Sequence, residues 1–364
     1  MKKGIILLCV LLIASVLIFR EVKNQVKEDL AEPVSYPSTT ITIAPSDRYI
    51  PESQVTQSLF VPYWAQTNAL SHEQEYQEYL YFGVVPGSFG INTQEEGAIR
   101  ATALLADLPP GVSVALTVRM LDSGQNSAIL KEDARQKELI ASTVSFAKEH
   151  GFTGIVLDLE MSAIPFDSLV QQITLFTKDF ATEAKREGLS FSLMSYGDTF
   201  YRLRPFALKE LASSVDMVRI MAYDFHKSRG NPGPNFPLEG KEVYGYDMTA
   251  MIDDYLAVVP AEKIQVVFGM FGYDWIVDDK ENRIENGDPI TYNEIQQTFL
   301  SGCSFADCTI KRKNDSSETK ITYTDAQSKQ HVVWFEDATS VAEKQEYLKK
   351  RGISSFGYWA YSYF

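Results

Sequence analysis

The sequence predicts an α/β protein, a (β/α)8 TIM barrel with a small insertion before the last strand and an N-terminal membrane segment ahead of it. Eight short apolar runs of strand length recur along the 364 residues, and amphipathic stretches of helical period separate several of them. Neither a G-x-G-x-x-G nor a P-loop motif supports the main rival, an open doubly wound sheet. The alternation therefore favours parallel strands that close into a barrel.

Each of the eight apolar runs has the length and composition of a buried strand. In chain order they are residues 59–64, 81–85, 112–118, 154–157, 189–194, 217–222, 264–270 and 353–359. The clearest helical periods between them cover residues 167–185 and 339–350.

The chain is expected to have three parts. Lys2 and Lys3 precede an apolar run over residues 4–19, which indicates a signal anchor or a signal peptide in residues 1–20. No small-x-small pair follows that run, so an uncleaved anchor is favoured. Residues 21–55 have the composition of a linker, and the barrel follows at 56–364 with its insertion at about 278–332. The protein is thus expected outside the cytoplasm, membrane-anchored through its N-terminus or secreted.

Charge and cysteine content limit the classes of binding partner and bound group that the sequence favours. A net charge of -14 argues against nucleic acid, because the long-range force would be repulsive. Cys303 and Cys308 share one short polar segment, which predicts a small-loop disulfide if it lies outside the cytoplasm. The four histidines are scattered, so neither a metal site nor a cofactor is expected. The oligomeric state stays open.

Two carboxylates mark the end of the fourth predicted strand. Val156, Asp158 and Glu160 point to one side of it, while the residues between them are all apolar. The two acids are about 6.6 Å apart by strand rise, at the barrel end where active sites form. Burial and a neighbouring negative charge raise a carboxyl pKa, as a general acid near neutral pH requires. The alternative, that both acids cap the next helix, is weakened because Ser162 and Asp167 stand nearer its start.

Residues 151–160, GFTGIVLDLE, resemble the D-G-x-D-x-D-x-E strand of glycoside hydrolase family 18, the chitinase-like hydrolases. Further segments agree in order and spacing. Residues 221–224 resemble the M-x-Y-D of strand six, residues 268–275 resemble strand seven, and residues 357–359 resemble the closing strand with its floor tryptophan. The Tyr-Asp-Trp at 273–275 is similar to the bacterial envelope and spore-type branch. The resemblance covers nearly all of residues 59–364.

The resemblance implies hydrolysis of a β-linked N-acetylglucosamine-containing glycan, chitin-like or peptidoglycan-like, by substrate-assisted retaining catalysis. Glu160 would protonate the glycosidic oxygen as general acid, while the substrate's own N-acetyl carbonyl attacks the anomeric carbon. Asp158 would stabilise the acetamido group, and Tyr223 would hydrogen-bond its carbonyl. The sugar site would be lined by Met221, Asp224 and Trp359.

Aromatic residues at strand ends are further candidates, because aromatic rings stack on the apolar faces of sugars. Tyr63, Tyr196 and Trp275 are predicted to bind substrate, with Trp64 and Tyr273 near the same rim. A single such aromatic is more often a core residue. With five of them near one rim, sugar binding and core packing are equally favoured interpretations. Arg219 is expected to be a structural partner of a buried carboxylate.

Two departures from the family pattern keep other functions open. Thr153 and Val156 replace the first two acids of the family strand, so Asp158 lacks the inward carboxyl it would normally hydrogen-bond. The third strand ends LTVRM at 116–120, without the small, Gly-rich run usual in chitinases. The alternative is a catalytically impaired, membrane-tethered carbohydrate-binding (lectin-like) barrel. A third hypothesis is an envelope scaffold that binds protein through the insertion.

Overall fold

The computed structural model describes residue 50 and residues 54–65, 76–108 and 111–364. The predicted signal anchor, residues 1–20, and most of the predicted linker, residues 21–55, lie outside these described residues. Within them, no helix combines the length and the apolar character needed to cross a membrane.

Eight parallel strands close into a barrel, which confirms the predicted fold class. Each predicted run overlaps one of these eight strands, and the first strand pairs with both the second and the last to complete the closure. In chain order the strands of the described residues are β1 (Thr56–Pro62), β2 (Glu78–Val84), β3 (Ser113–Met120), β4 (Gly154–Leu159), β5 (Ser190–Tyr196), β6 (Met217–Ala222), β7 (Ile264–Gly269), β8 (Phe271–Val277), β9 (Asp288–Thr291), β10 (Ala306–Arg312), β11 (Thr319–Thr324), β12 (Gln330–Phe335) and β13 (Ser355–Trp359).

Helices connect the barrel strands and cover their outer faces. The longest, Asp167–Arg186, buries Ile173, Phe176 and Phe180 at helical spacing against the barrel. Its last turn carries Lys185 and Arg186, where cations complement the helix dipole. The helices are α1 (Glu96–Ile99), α2 (Ala101–Asp107), α3 (Ser123–Leu130), α4 (Asp133–Glu149), α5 (Asp167–Arg186), α6 (Leu208–Leu211), α7 (Lys241–Tyr244), α8 (Met248–Leu256), α9 (Tyr292–Ile295) and α10 (Ala338–Lys350).

A polar network fills the base of the barrel, at the amino-terminal ends of the strands. Arg219 forms an ion pair with Glu78 at 2.9 Å and donates hydrogen bonds to Ser192 Oγ at 2.9 Å and Gln265 Oε1 at 2.5 Å. These partners come from three other strands, β2, β5 and β7, so the buried charge is paired and ties four strands together. Arg219 is therefore the structural partner of a carboxylate that the sequence predicts.

The insertion is a five-stranded antiparallel sheet in the order β10-β11-β12-β8-β9. It runs from Phe271 to Phe335, which is wider than the predicted 278–332, because β8 begins only two residues after β7 ends. The sequence interpretation assigns residues 268–275 to strand seven, so it does not separate β8 from β7. Cys303, in the connection before β10, forms a disulfide with Cys308, within β10.

A buried ionic cluster joins the sheet to the barrel. Lys344 of α10 is fully buried and contacts Glu318 Oε1 at 2.8 Å and Glu336 Oε2 at 2.5 Å. The carboxylate of Glu318 also accepts hydrogen bonds from the backbone N–H groups of Asn235 and Phe236. The cluster thereby fixes the loop that follows β6 against the sheet.

Candidate active site

A cavity of about 470 Å³ opens at the carboxyl-terminal ends of the barrel strands, the end where barrels carry their active sites. We call it the cleft. Seven of the catalytic and substrate-binding residues predicted from the sequence line it: Asp158, Glu160, Tyr196, Met221, Tyr223, Asp224 and Trp359. Four other charged or aromatic side chains also line it, namely Trp64, Asp198, Lys227 and Tyr273.

The end of β4 is fixed by backbone hydrogen bonds to the end of β3. The N–H of Glu160 donates to the carbonyl of Met120 at 2.8 Å. The buried side chain of Asn126, on α3, donates to the carbonyls of both Met120 and Glu160, at 2.7 and 3.0 Å. The Glu160 backbone is thus held by two neighbours, which limits the positions its carboxyl can reach.

The carboxyl of Glu160 accepts a hydrogen bond from Tyr196, whose hydroxyl lies 3.2 Å from Oε2. Burial raises the pKa of Glu160, while Lys227 and the Tyr196 hydrogen bond oppose the increase. Tyr196 is itself held by Arg204, whose guanidinium lies 4.2 Å from the ring centroid and forms two hydrogen bonds to Asp198. The arrangement keeps a partly desolvated carboxyl, protonated to higher pH than usual, in the cleft wall.

Asp158 lies deeper in the cleft and is only 3% exposed. Its Oδ1 atom has no hydrogen-bond partner among the residues that the structure describes. Burial raises the pKa of Asp158 well above its usual range, Glu160 adds to the increase, and Arg119 opposes it. An unpaired buried carboxyl oxygen is costly, and a polar group of a bound ligand would satisfy it.

The end of β6 supplies a second group of side chains. Met221 and Tyr223 are two residues apart and both line the cleft, as the alternation of a strand requires. Asp224 follows with a left-handed φ of 59°, and its N–H donates to Asn235 Oδ1 at 2.7 Å. Tyr273 OH donates to Asp224 Oδ1 at 2.8 Å. Burial raises the pKa of Asp224 despite this hydrogen bond and the nearby lysine.

Trp359, at the end of β13, forms an aromatic floor. Its ring lies 4.7 Å from Phe82 and 5.5 Å from Phe60 between centroids, and it is inclined by only 25° to Tyr223. Trp64 stands at the rim, 42% exposed and 6.4 Å from Trp359. Such a surface suits the apolar face of a sugar ring.

Two predicted substrate-binding residues are not in the cleft wall. Trp275 is fully buried in the core of the additional sheet, and its Nε1 donates to the carbonyl of Ser228 at 3.1 Å. Tyr63 instead lies beneath the guanidinium of Arg119, at 4.7 Å from its ring centroid. Both predictions assume that these residues lie at the ends of barrel strands. Trp275 lies in β8, which belongs to the additional sheet. At Tyr63–Ala65 a 3-10 turn presents Trp64 to the cleft rather than Tyr63.

The sequence reasoning missed Asp198 and Lys227. Asp198 follows β5 by two residues, so its position after a barrel strand was a usable signal. Lys227 lies in an irregular loop without a periodic pattern, and only the fold brings it to the cleft. Among the described residues, no group of three His, Cys, Asp or Glu side chains is placed to hold a metal ion.

Residues 114–363, more than half of the chain, match the family model described as "Glycosyl hydrolases family 18". The chain belongs to glycoside hydrolase family 18. Among curated proteins, it is 25% identical to the cortical fragment-lytic enzyme of Bacillus subtilis over 294 residues, which cover 75% of this chain and 63% of the relative. The chain thus spans less than two thirds of that relative's length.

Solved structures of family 18 proteins share the fold. The spore cortex-lytic enzyme SleL of Bacillus cereus superimposes with a TM-score of 0.67 at 19% identity, covering 85% of this chain and 71% of SleL. A class V chitinase from Nicotiana tobaccum in complex with NAG4 gives a TM-score of 0.73 at 15% identity, covering 84% and 94%. These structures show the shared fold, and the curated Bacillus subtilis relative agrees with the spore-type bacterial branch of family 18 that the sequence indicates.

Proposed function

We propose that this family 18 member hydrolyses β-linked N-acetylglucosamine-containing glycans by substrate-assisted retaining catalysis. The supporting observation is that Asp158, in β4, and Glu160, directly after it, line a single cleft; we call them the carboxyl pair. Tyr223 and Trp359 line the same cleft and offer a hydroxyl and an aromatic floor. The first acts on an acetamido group, the second on a sugar ring.

Glu160 acts as the general acid. Its raised pKa keeps the carboxyl protonated to higher pH than usual, and its side chain lines the cleft at the end of β4. After the glycosidic oxygen is protonated and leaves, the same carboxylate removes a proton from the incoming water. Tyr196 holds the carboxylate through its hydrogen bond in both steps.

Asp158 and Tyr223 act on the acetamido group of the sugar. The unpaired Oδ1 of Asp158 accepts the acetamido N–H, which stabilises the positive charge that develops as the ring closes. Tyr223 donates its hydroxyl to the acetamido carbonyl and orients the oxygen that attacks the anomeric carbon. Met221, Asp224 and Trp359 complete the sugar site, with Asp224 held in place by Tyr273.

The pH dependence of the rate follows from the neighbours of Glu160. Because the acid must be protonated, kcat falls as pH rises through the pKa of Glu160. Lys227 is the largest influence that lowers this pKa, so Lys227→Met is expected to move the alkaline limb of the kcat profile to higher pH. The measurement is kcat between pH 4 and 9 on a chitooligosaccharide.

Lys209→Met is the matched control, because Lys209 is an exposed lysine that does not line the cleft. Its profile should overlay that of the wild type. An alkaline limb that stays in place, or moves to lower pH, in Lys227→Met would show that Glu160 is not the group that titrates there.

The substrate class remains either chitin-like or peptidoglycan-like. Similarity to the cortical fragment-lytic enzyme of Bacillus subtilis favours cortical fragments as substrate, and the NAG4 complex of the chitinase favours N-acetylglucosamine oligomers. The experiment is the release of reducing sugar from chitooligosaccharides, peptidoglycan and N-glycans by the wild type and by Glu160→Gln. Equal inactivity of both proteins on the whole panel would end the enzyme hypothesis.

One observation favours a second candidate, a carbohydrate-binding barrel without turnover. Val156 offers no acid beneath Asp158, and Asp158 Oδ1 has no partner within the described part of the chain. This candidate predicts sugar binding by calorimetry without any product. A product whose formation requires Glu160 would eliminate it.

We also propose that the barrel acts outside the cytoplasm, held to the membrane by residues 1–20 or secreted. The disulfide between Cys303 and Cys308 fits an oxidising compartment. Fractionation of cells that express the full chain tests this, since recovery in the cytosolic fraction would contradict it.

A further inference from the structure

Arg119 stands beside Asp158 inside the barrel. The register of β3 and β4 pairs Arg119 with Asp158, and paired residues of parallel strands point to the same face, with the strands about 4.8 Å apart. Both side chains are buried, at 8% and 3% exposure. A guanidinium and a carboxyl thus share the low-dielectric interior at the level of the reaction site.

The guanidinium of Arg119 is held by several contacts, but not all of its N–H groups have hydrogen-bond partners among the described residues. Its Nε donates to the carbonyl of Gly83 at 3.1 Å, and the group lies over the rings of Tyr63 and Phe82 at 4.7 and 5.3 Å. Its Nη2 atom is buried without a hydrogen-bond partner among the described residues, and Glu95 approaches it only to 3.7 Å. A charge held in this way acts on its surroundings chiefly through its field.

The side chain beneath Asp158 on β4 cannot supply a charge to Asp158. Val156 shares the inward face of β4 and has no polar atom, and Thr117, its register partner on β3, has an Oγ1 that is unpaired within the described ranges. No second carboxyl is therefore available there to share a proton with Asp158. The cation on β3 is the charged group that this chain places next to it from that side.

We propose that Arg119 is a positioning residue that holds the negative charge of the carboxyl pair on Asp158 and thereby assigns the shared proton to Glu160. This inference rests on the proposed function. It explains how a pair of adjacent buried acids divides its roles in a chain that has valine at 156. The acid that must donate keeps the proton, and the acid that must stabilise positive charge stays ionised.

The other groups that face Asp158 do not favour its ionised form, so this assignment depends on Arg119. Glu160 faces it from β4, and Tyr196 and Tyr223 face it from β5 and β6, so Arg119 is the cation in this set. Lys227 and Arg204 instead lower the pKa of Glu160, so they oppose the assignment that Arg119 supports. Burial and Glu160 raise the pKa of Asp158, and Arg119 is the group that lowers it.

The test compares Arg119→Gln with Arg119→Lys in the full-length protein. Removing a positive charge beside the pair disfavours both of its ionisations, so both limbs of the bell-shaped kcat profile should move to higher pH in Arg119→Gln. The maximal kcat should fall by roughly tenfold, because less of the singly protonated pair carries its proton on Glu160. Arg119→Lys, which retains the charge, should restore the position of both limbs.

Arg100→Gln is the control. Arg100 also contacts Tyr63, because its Nη1 donates to the Tyr63 carbonyl at 3.3 Å, but it is not among the groups that act on Asp158. Its profile should match the wild type. A lower kcat in Arg119→Gln without any movement of the limbs would show a merely structural role and overturn the inference.

A second measurement does not depend on turnover. Carboxyl ¹³C titration of aspartate-labelled protein, with Asp158 assigned from its absence in Asp158→Asn, should show a higher pKa for Asp158 in Arg119→Gln than in the wild type. An unchanged titration refutes the role of Arg119. If the wild type hydrolyses nothing on the panel, the proposed function fails, while this titration still decides the electrostatic coupling.

Discussion

Replacing Glu160 with glutamine is expected to lower kcat on chitooligosaccharides by about 10³-fold, within the range that general acid catalysis contributes. The amide keeps the shape and can still accept the hydrogen bond from Tyr196, but it has no acidic proton for the leaving group. Binding of the same oligosaccharide, measured by calorimetry, should change little, because the floor and the acetamido contacts remain.

The matched control for this substitution is Glu132→Gln. Glu132 is exposed and makes no side-chain cap bond at the start of α4. Its kcat should equal that of the wild type. If Glu160→Gln retained more than about a tenth of the wild-type kcat, a fraction too large for the loss of a general acid, Glu160 would not hold that role.

Replacing Lys344 with methionine is expected to lower the free energy of unfolding by about 3–5 kcal/mol, the usual cost of removing one partner of a buried ion pair. Lys344 is the cation between Glu318 and Glu336, and all three side chains are fully buried. Without it, two carboxyls face each other in the interior. Urea denaturation followed by tryptophan fluorescence measures the loss.

Two comparisons separate the charge effect from a change of packing. Lys350→Met alters an exposed lysine of the same helix and should change stability by less than about 0.5 kcal/mol. Adding Glu336→Gln to Lys344→Met removes one of the two facing acids and should recover part of the loss. A loss below about 1 kcal/mol in Lys344→Met would contradict the view that this cluster fastens the sheet to the barrel.

The barrel could be predicted because its strands are read from local pattern. Runs such as 154–157 are short, apolar and spaced by helical segments, and a closed parallel sheet buries them on both faces. The extra sheet could not be read in this way. The chain passes from β7 into β8 across Met270 alone, within one apolar run, so only the pairing of β8 with β12 reveals a second sheet.

The candidate site likewise has features that local pattern predicts and features that it does not. The shared face of Asp158 and Glu160 follows from the two-residue period of a strand, and the structure places both in the cleft. The partner of Asp158 does not follow from that period. Arg119 becomes its neighbour through the register between β3 and β4, which depends on tertiary packing. The same reason separates Trp64, which reaches the cleft, from Trp275, which does not.

The most direct test of the central claim is the stereochemistry of the first product. The full-length protein is mixed with chitopentaose and, in parallel, with its N-deacetylated counterpart, and the anomeric protons are followed by ¹H NMR before mutarotation. Substrate-assisted retaining catalysis predicts the β-anomer as the first product and no cleavage of the deacetylated chain, which lacks the attacking carbonyl. Initial formation of the α-anomer, or equal cleavage of both substrates, would contradict the mechanism.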